Sequence, residues 1–535
     1  MLKITILFAL LISFVFADVA DYTKSAKRSF NEIEGKVPVI SIEMNPTDYE
    51  KLVEIAQIDT ENDIYVKCSM TFEVDGKKQV FKKVNFKTGG NYGRANDKIG
   101  FNLKLKGDDL LLDRKQIRLR PDATDTIHMR SKIAYDLINN WGLPSIQESY
   151  VEFYLNGEYF GLYFLQDSPK SNWIRKTYGL PDNEEVETFY NCRKDGVNLV
   201  KGDICFNVND KTANYTEPFE ELLENIENSK SLEDLEKFMN VELFMKDLVI
   251  EFLFGSFDHY IIQGHNFYMY QRNDGIWDMI LVDFDNEFGT GLYVFTTFVL
   301  QYNTPEFGYT LKFEDMPKPG KKLPDIAYFK DNSYFKKALR ELMVTGFNPD
   351  NIFKRIDELR EFIDPYVKKT LTPGADGRLP GVINLKGQSN AHTYEDFNNH
   401  FSLEPENPFV PSLKGWIKNR FEFACEEYGF DSEEILKEAA EYRGEEYVPK
   451  QPTTTAVEET TTTVVEEITT TVVEEKPTIT RTKTVFYTTS IATDALEVSQ
   501  PVEEEEEDSI DEIEVTASAD DEEDSADDKD SADEK

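Results

Sequence analysis

Five oxygen-bearing side chains stand close together in the middle of the chain: Asp258, Asn266, Asp283, Asp285 and Glu287. Residues two apart in an extended segment project to the same side, so Asp283 and Asp285 are expected to point together. With Asn266, and with Glu287 as a further candidate, they offer three or four hard oxygen donors, a set that suits Mg²⁺ and its bound phosphates. Asp258 is a separate carboxylate, placed to orient or deprotonate a hydroxyl nucleophile. Each residue also has a plain structural reading, Asp258 as the cap of a helix end and Asp285-Asn286 as a turn. What points to chemistry is the combination of an Asp, an Asn eight residues later and an Asp-x-Asp seventeen beyond that.

A second constellation precedes it. Thr88-Gly-Gly-Asn-Tyr-Gly-Arg94 leads through Lys98 into the alternating run Phe101-Asn-Leu-Lys104-Leu. A glycine-rich turn leaves backbone N–H groups free to approach an anion, and a lysine on the next strand can reach phosphate. The plain alternative is a hairpin turn beside a solvated lysine face. Taken in order, a Gly-rich turn and lysine in a strand-rich region come before Asp, Asn and Asp-x-Asp in a helical one. Protein kinases use this layout, with positioning and cation clamping supplying most of the rate enhancement. Other hydrolytic and nucleotide chemistries lack their motifs. The five histidines include no His-Glu-x-x-His, and neither a Gly-x-Ser-x-Gly elbow nor a Walker lysine loop occurs. A polysaccharide-cleaving carboxylate pair has only tryptophans and acidic residues in its favour.

The elements that must position these residues follow from periodicity. Val37–Met44, Val66–Val74, Gln79–Phe86 and Phe101–Lys106 alternate with period two. Tyr150–Leu155 and Tyr159–Leu165 flank Asn156-Gly157, a hairpin-turn signal. Ile127–Trp141 has helical spacing, opened by Asp125 or Thr126 and stopped by Gly142. From Glu217 the pattern turns helical at 219–226, 232–239 and 241–254. A strand pair at 266–270 and 277–282 interrupts it, and helices return at 333–343, 352–366 and 413–428. The fold class is therefore α+β in two lobes. The chain divides into a signal peptide (1–17), a mobile segment (18–36), a β-rich N-lobe (37–216), a helical C-lobe with the metal site (217–447), a Thr-rich stalk (448–500) and an acidic disordered tail (501–535).

Composition sets the surroundings. The 535 residues carry a net charge of −42, and from Gln451 onward 27 acidic residues face 5 basic ones, so about half of that charge lies in the tail. No basic stripe is dense enough to neutralise a phosphate backbone, which excludes nucleic acid as a partner. Lys3, the apolar run Ile4–Phe16 and Val15-Phe16-Ala17 read as a secretory signal, and no later run is long enough for a transmembrane anchor. A secreted or cell-surface protein follows. Cys192 and Cys205 flank a polar loop and are the expected disulfide, while Cys68 and Cys425 are not expected to pair. Asn214-Tyr215-Thr216 is a glycosylation sequon. Three Thr/Val/Glu repeats beginning at Thr453, Thr460 and Thr469 are too short for a solenoid and read as a stalk.

The sequence resembles the spore coat protein H (CotH) kinase-like family, secreted or surface proteins of bacteria and fungi with an atypical kinase fold. The resemblance lies in Gly90-Asn91 with the Lys98–Leu105 strand, Asp125-Thr-Ile-His-Met-Arg130, Leu155-Asn-Gly-Glu-Tyr-Phe-Gly-Leu-Tyr163, Asp258 through His265-Asn266, and Asp283-Phe-Asp-Asn-Glu-Phe-Gly289. It implies a bilobal atypical protein-kinase-like fold using ATP with Mg²⁺ or Mn²⁺. It implies Asp258 as catalytic base, Asp283 as principal metal ligand, and Asp285 and Asn266 as supporting ligands. Lys104 becomes the lysine for the nucleotide phosphates, with Lys98 second, and Gly90, Asn91 and Asp167 lie near the nucleotide. Lys87, Tyr92 and Val282 depart from the family's usual Arg, Ser/Thr and Trp. The helix at 127–141 offers no Glu to pair with Lys104, leaving Asp125 or Asp136 for that part. The implied function is a secreted Ser/Thr kinase for exported or surface proteins, with autophosphorylation expected at Ser509, Ser518, Ser525 and Ser531 in the acidic tail. The alternative is a non-catalytic surface adhesion protein built on the same domain.

Overall fold

The computed structural model describes residues 29–447, apart from 59–63, 91, 122–123, 195, 295–306, 317–320, 390–391, 404–411 and 445–446. The expected signal segment, the Thr-rich repeats and the acidic tail with its four serines lie outside the described residues.

Alternation builds the first half. Strands β1 (Val39–Glu43), β2 (Val66–Val74), β3 (Lys77–Gly89), β4 (Gly100–Leu105), β5 (Gln116–Arg120), β6 (Glu148–Leu155) and β7 (Glu158–Asp167) close into a barrel ordered β1-β2-β3-β4-β5-β7-β6. Neighbours are antiparallel except β6, which meets β1 in parallel with Val39 opposite Glu152. Closure leaves no free sheet edge. Phe101, Leu103 and Leu105 of β4 and Ile117 and Leu119 of β5 face the barrel core, where the Phe86 and Phe101 rings stack at 4.8 Å. Asn102, Lys104, Arg118 and Arg120 are therefore left on the outer face. Asn156 and Gly157 both have positive φ, 49° and 78°, which a two-residue hairpin turn requires, and they join β6 to β7 as the sequence indicates. Helix α1 (Pro46–Ala56), capped by Asn45, packs Leu52 and Ala56 onto the same core. Residues 29–36, at the end of the segment expected to be mobile, are among the described residues and pack on the barrel. Phe30 and Ile33, three apart, are buried in the barrel core, and the Arg114 guanidinium lies 3.8 Å from the Phe30 ring.

A second core follows. Helix α2 (Arg130–Asn140) is buried along its whole length from Arg130 to Asn139. After α3 (Ser171–Tyr178) come β8 (Phe189–Cys192) and β9 (Phe206–Asn207), which join β10 (Phe267–Gln271) and β11 (Trp277–Leu281) in a sheet ordered β11-β10-β8-β9. The stretch 189–207, assigned to the N-terminal lobe from its place in the sequence, thus hydrogen-bonds to strands of the later half. Cys192 and Cys205 are bridged as expected, and Cys68 and Cys425 are free and buried. Helices α4 (Glu217–Asn228), α5 (Val241–Phe254), α6 (Ser333–Thr345), α7 (Pro349–Thr370), α8 (Leu413–Tyr428) and α9 (Ser432–Glu441) complete this half. The helix expected over 232–239 stops at Leu235, because Phe238 and Asn240 turn their backbones to hydrogen-bond Trp277. The architecture is α+β, strand-rich first and mainly helical after. Among the described residues no helix is long and apolar enough to cross a membrane.

Candidate active site

Helix α5 is apolar enough to be buried on nearly every side, so its end is fixed by packing. Gly255 stops it with φ +65°, and a Cβ there would lie 2.3 Å from the Trp416 ring, so glycine is required twice over. The chain then runs directly into Asp258. The β10–β11 hairpin brings the other oxygens alongside. Val282 N–H donates to the Asn266 carbonyl at 2.9 Å, setting Asn266 and Asp283 side by side at the hairpin's open end. Both take left-handed backbone, φ 54° and 74°, which turns their side chains out of the strand direction. Asn266 Nδ2 donates to Asp258 Oδ2 at 2.8 Å. The Asp283 N–H donates to Tyr135 Oη on α2 at 2.9 Å.

The charge facing these carboxylates comes from the barrel. Arg120, on the outer face of β5, forms ion pairs with both Asp283 and Asp285, the latter at 2.7 Å. Asp283 and Asp285 therefore do project to one side, although the segment is a turn and not a strand. Burial tends to raise the Asp283 carboxyl, but Arg120 and Arg118 outweigh it and hold it below the ordinary value. Burial wins at Asp285, lifted to about 6, and at Asp258, lifted to about 8 with Glu287, Asp285 and Asp283 adding repulsion. Asp258 thus senses both members of the Asp-x-Asp pair, and the four carboxylates form one electrostatic cluster.

His259 braces that cluster. Its Nε2 faces the Val282 carbonyl at 2.8 Å, and its Nδ1 lies 3.2 Å from Glu287 Oε1 and 3.9 Å from Asp258 Oδ1. Burial alone would lower the imidazole; Glu287, Asp258 and Glu251 outweigh it and lift it to about 10. The spacing of Asp258, His259 and Glu287, with one ligand atom each within 4.8 Å, would admit a metal ion. His259 Nε2 is already engaged by the Val282 carbonyl, which leaves Nδ1 alone to face the carboxylates. The oxygens are better suited. Asp258 Oδ1 is buried without an aligned hydrogen-bond donor, and native proteins rarely leave a buried carboxylate oxygen so. An oxygen-seeking cation such as Mg²⁺ fits that donor set. Ser256 Oγ donates to the other Glu287 oxygen at 2.6 Å, fixing that side chain.

The remaining sequence candidates are distributed along the barrel. Lys104 is exposed on the outer face of β4, beside Gln116 and two residues from the Asn102–Arg118 pair, so it shares a face with Arg118 and Arg120. Gly90 and Lys98 lie where β3 ends and β4 begins, the barrel end that Arg120 also occupies. Arg94 closes the Gly-rich turn internally, donating to the Gly90 carbonyl at 2.8 Å and to Thr88. Asn91 lies outside the described residues. Lys98 is buried against the Tyr163 ring, and desolvation brings its amine down to about 7. Asp167 is buried in an ion pair with Arg114 at 2.6 Å and accepts from the Gln147 N–H at 2.7 Å. Neither Asp125 nor Asp136 turns to Lys104: Asp125 pairs with Arg130, and Asp136 with Lys132 and Arg355. A depression of about 500 Å³ is lined by Glu187, Asp210, Asn214 and Glu217 among others; none of its residues belongs to the acidic cluster.

Sequence reasoning missed Arg118, Arg120, Tyr135, His259 and Glu148. The two arginines had a signal: Gln116-Ile-Arg-Leu-Arg120 alternates and places both guanidiniums on one face. Glu148 of β6 accepts from Ser131 Oγ of α2 at 2.9 Å and from Gln166, and burial lifts it to about 7. Nothing local marks it.

A strand barrel bearing a basic outer face is thus followed by a helical region carrying an acidic cluster, and the barrel's Arg120 joins the two. The chain belongs to the CotH family: the family model described as "CotH kinase protein" matches residues 86–402. The chain is also similar to "Invasin CotH3" of Rhizopus delemar, at 23% identity over 315 residues, 53% of this chain and 50% of that protein. It therefore spans about half the length of that curated relative.

Proposed function

We propose that the chain is an exported phosphotransferase, moving phosphate from Mg-ATP (or Mn-ATP) to Ser or Thr hydroxyls of exported or surface proteins on a bilobal kinase-like fold. The observation that carries this reading is the buried, donor-less Asp258 Oδ1 beside Asp283 and Asp285, opposite Arg120 and Arg118. Asp283, Asp285 and Asn266 would hold the divalent ion, which when bound neutralises phosphate oxygens. Asp258, kept in place by Asn266, accepts the proton of the substrate hydroxyl. A carboxyl lifted toward neutrality is a better proton acceptor than an ordinary one. Arg118 and Arg120, with Lys104 on the same face, present cations to phosphate, and the guanidiniums can do so bidentately. Tyr135 and His259 act as positioning residues, through the Asp283 N–H and the Val282 carbonyl. Gly90, Asn91, Lys98 and Asp167 remain the proposed surroundings of the nucleotide, and Ser509, Ser518, Ser525 and Ser531 the proposed autophosphorylation sites.

A second reading, a surface adhesion protein in which the acidic cluster is a structural cation site, is favoured by the relative's description as an invasin. Measuring Mg-ATP affinity and phosphate incorporation for the full chain separates the two. Phosphate transfer abolished by Asp283→Ala and by Asp258→Asn supports the enzyme. A wild-type chain that binds no Mg-ATP supports the adhesion protein.

A further inference from the structure

We propose that Asn214 carries an N-linked oligosaccharide that covers the open edge of the second sheet. The inference depends on export of the chain and not on phosphotransfer. Asn214-Tyr215-Thr216 is the one Asn-x-Ser/Thr triplet in the sequence with a residue other than proline at its centre. It falls in the exposed turn between the short helix Asp210–Thr212 and α4, with Asn214 itself exposed. Among the described residues the Asn214 amide has no hydrogen-bond partner. Asn45-Pro46-Thr47 makes the contrast: proline interrupts the triplet, and the Asn45 side chain is spent capping α1, accepting from the Asp48 N–H at 2.9 Å.

Two independent observations point to a sugar at this position. The first is compartment. The neighbouring segment contains the Cys192–Cys205 bridge, which forms in oxidising compartments, where asparagine glycosylation also takes place. The second is the surface beneath. Among the described residues strand β9 pairs only with β8, which leaves its other edge open. Exposed apolar side chains surround it: Ile204 is 55% exposed, Phe206 46% and Tyr215 41%. The sequon is tied to this sheet, because the Tyr215 carbonyl accepts from Tyr190 Oη of β8 at 2.8 Å and from Asn207 Nδ2 of β9 at 3.4 Å. An open edge flanked by apolar residues is a site of self-association unless covered, and a hydrated oligosaccharide one residue away covers it.

In the modification, Asn214 Nδ2 bonds to the anomeric carbon of an oligosaccharide carried on a lipid diphosphate. The sugar's C–O bond to the diphosphate breaks, the lipid diphosphate departs with that electron pair, and the amide loses one proton; nothing is oxidised or reduced. The test expresses the full chain in a secreting yeast and treats it with an endoglycosidase specific for asparagine-linked sugars. The treatment should lower the mass by one oligosaccharide in the wild type and in Thr216→Ser. It should have no effect in Asn214→Gln and Thr216→Ala, and peptide mapping should find Asn45 bare. A wild-type chain with unmodified Asn214, whether exported or retained, overturns the proposal, as does a shift that persists in Asn214→Gln. Because the Thr216→Ala and Thr216→Ser variants differ only in the hydroxyl, the comparison holds even where Asn214→Gln folds poorly. Enzymatically deglycosylated protein should self-associate in sedimentation at concentrations where the glycosylated form stays monomeric; equal behaviour would remove the covering role.

Discussion

Glu34→Gln is expected to loosen the helix that holds the acidic cluster. Glu34 lies between two cations, Lys132 at 3.1 Å and Arg355, and both also pair with Asp136. Lys132 and Asp136 flank Tyr135 on α2, so this four-residue network fixes the turn of helix whose hydroxyl receives the Asp283 N–H. The Glu34 side chain is 22% exposed. Burial tends to raise its carboxyl, but Lys132 and Arg355 prevail and bring it from 4.5 down to about 2. At 1.36 kcal/mol per unit, that difference corresponds to about 3 kcal/mol of stability at neutral pH. Because the folded-state value is depressed, the contribution is complete above pH 4.5 and fades as pH falls through about 2; linkage leaves about 1.4 kcal/mol of it at pH 3. Removing one member of a buried pair strands the others, an effect of about 3–5 kcal/mol in comparable cases. Urea denaturation of the full chain followed by circular dichroism should show Glu34→Gln less stable by about 3 kcal/mol at pH 7 and by about half that at pH 3. Equal losses at both pH values would assign the effect to packing and refute the electrostatic reasoning; no loss at pH 7 would refute the network altogether.

Two further outcomes follow from other parts of the molecule. With Asp258 lifted to about 8 and active as the carboxylate, phosphate transfer should rise with pH along a limb ending near that value. More Mg²⁺ should move the limb to lower pH, since a nearby cation favours the ionised form, and a pH–rate profile insensitive to Mg²⁺ would count against Asp258 as the base. Replacing both Cys192 and Cys205 by Ser opens a loop with a sequence separation of 13 and should lower stability by about 3 kcal/mol in a thermal or urea unfolding curve.

How far the sequence could be read depends on where each residue's partner sits. The strands β2, β3 and β4 and the Asn156-Gly157 hairpin were legible because their signals are local: alternation, and a turn that needs two positive φ values. Helix α5 was legible from its apolar run alone. Strand β5 carried the same alternation but over five residues only, with Ile117 and Leu119 among three polar ones, and went unread; β4 and β7 on either side make it a strand. The same division runs through the site. Asp283 and Asp285 announce themselves by spacing, whereas the arginine that joins them is about 160 positions away and reaches them only once the barrel has closed.

Buried charge is the common cause of what stayed hidden. A sequence reading assigns Arg, Lys, Asp and Glu to the surface, since unpaired ions are seldom buried. The sequence of helix α2 shows the helical spacing of its apolar residues but no reason for Arg130, Lys132 and Asp136 to be buried. In the fold all three are buried, because each meets an opposite charge, and two of them meet one from a distant segment: Lys132 pairs with Glu34, and Asp136 with Arg355. Once each ion is compensated, the helix can lie between the two cores and carry Tyr135 to Asp283. Such a helix orients the acidic cluster only while its charges remain paired, so the stability of the Glu34 network and the geometry of Asp283 should change together when either is perturbed.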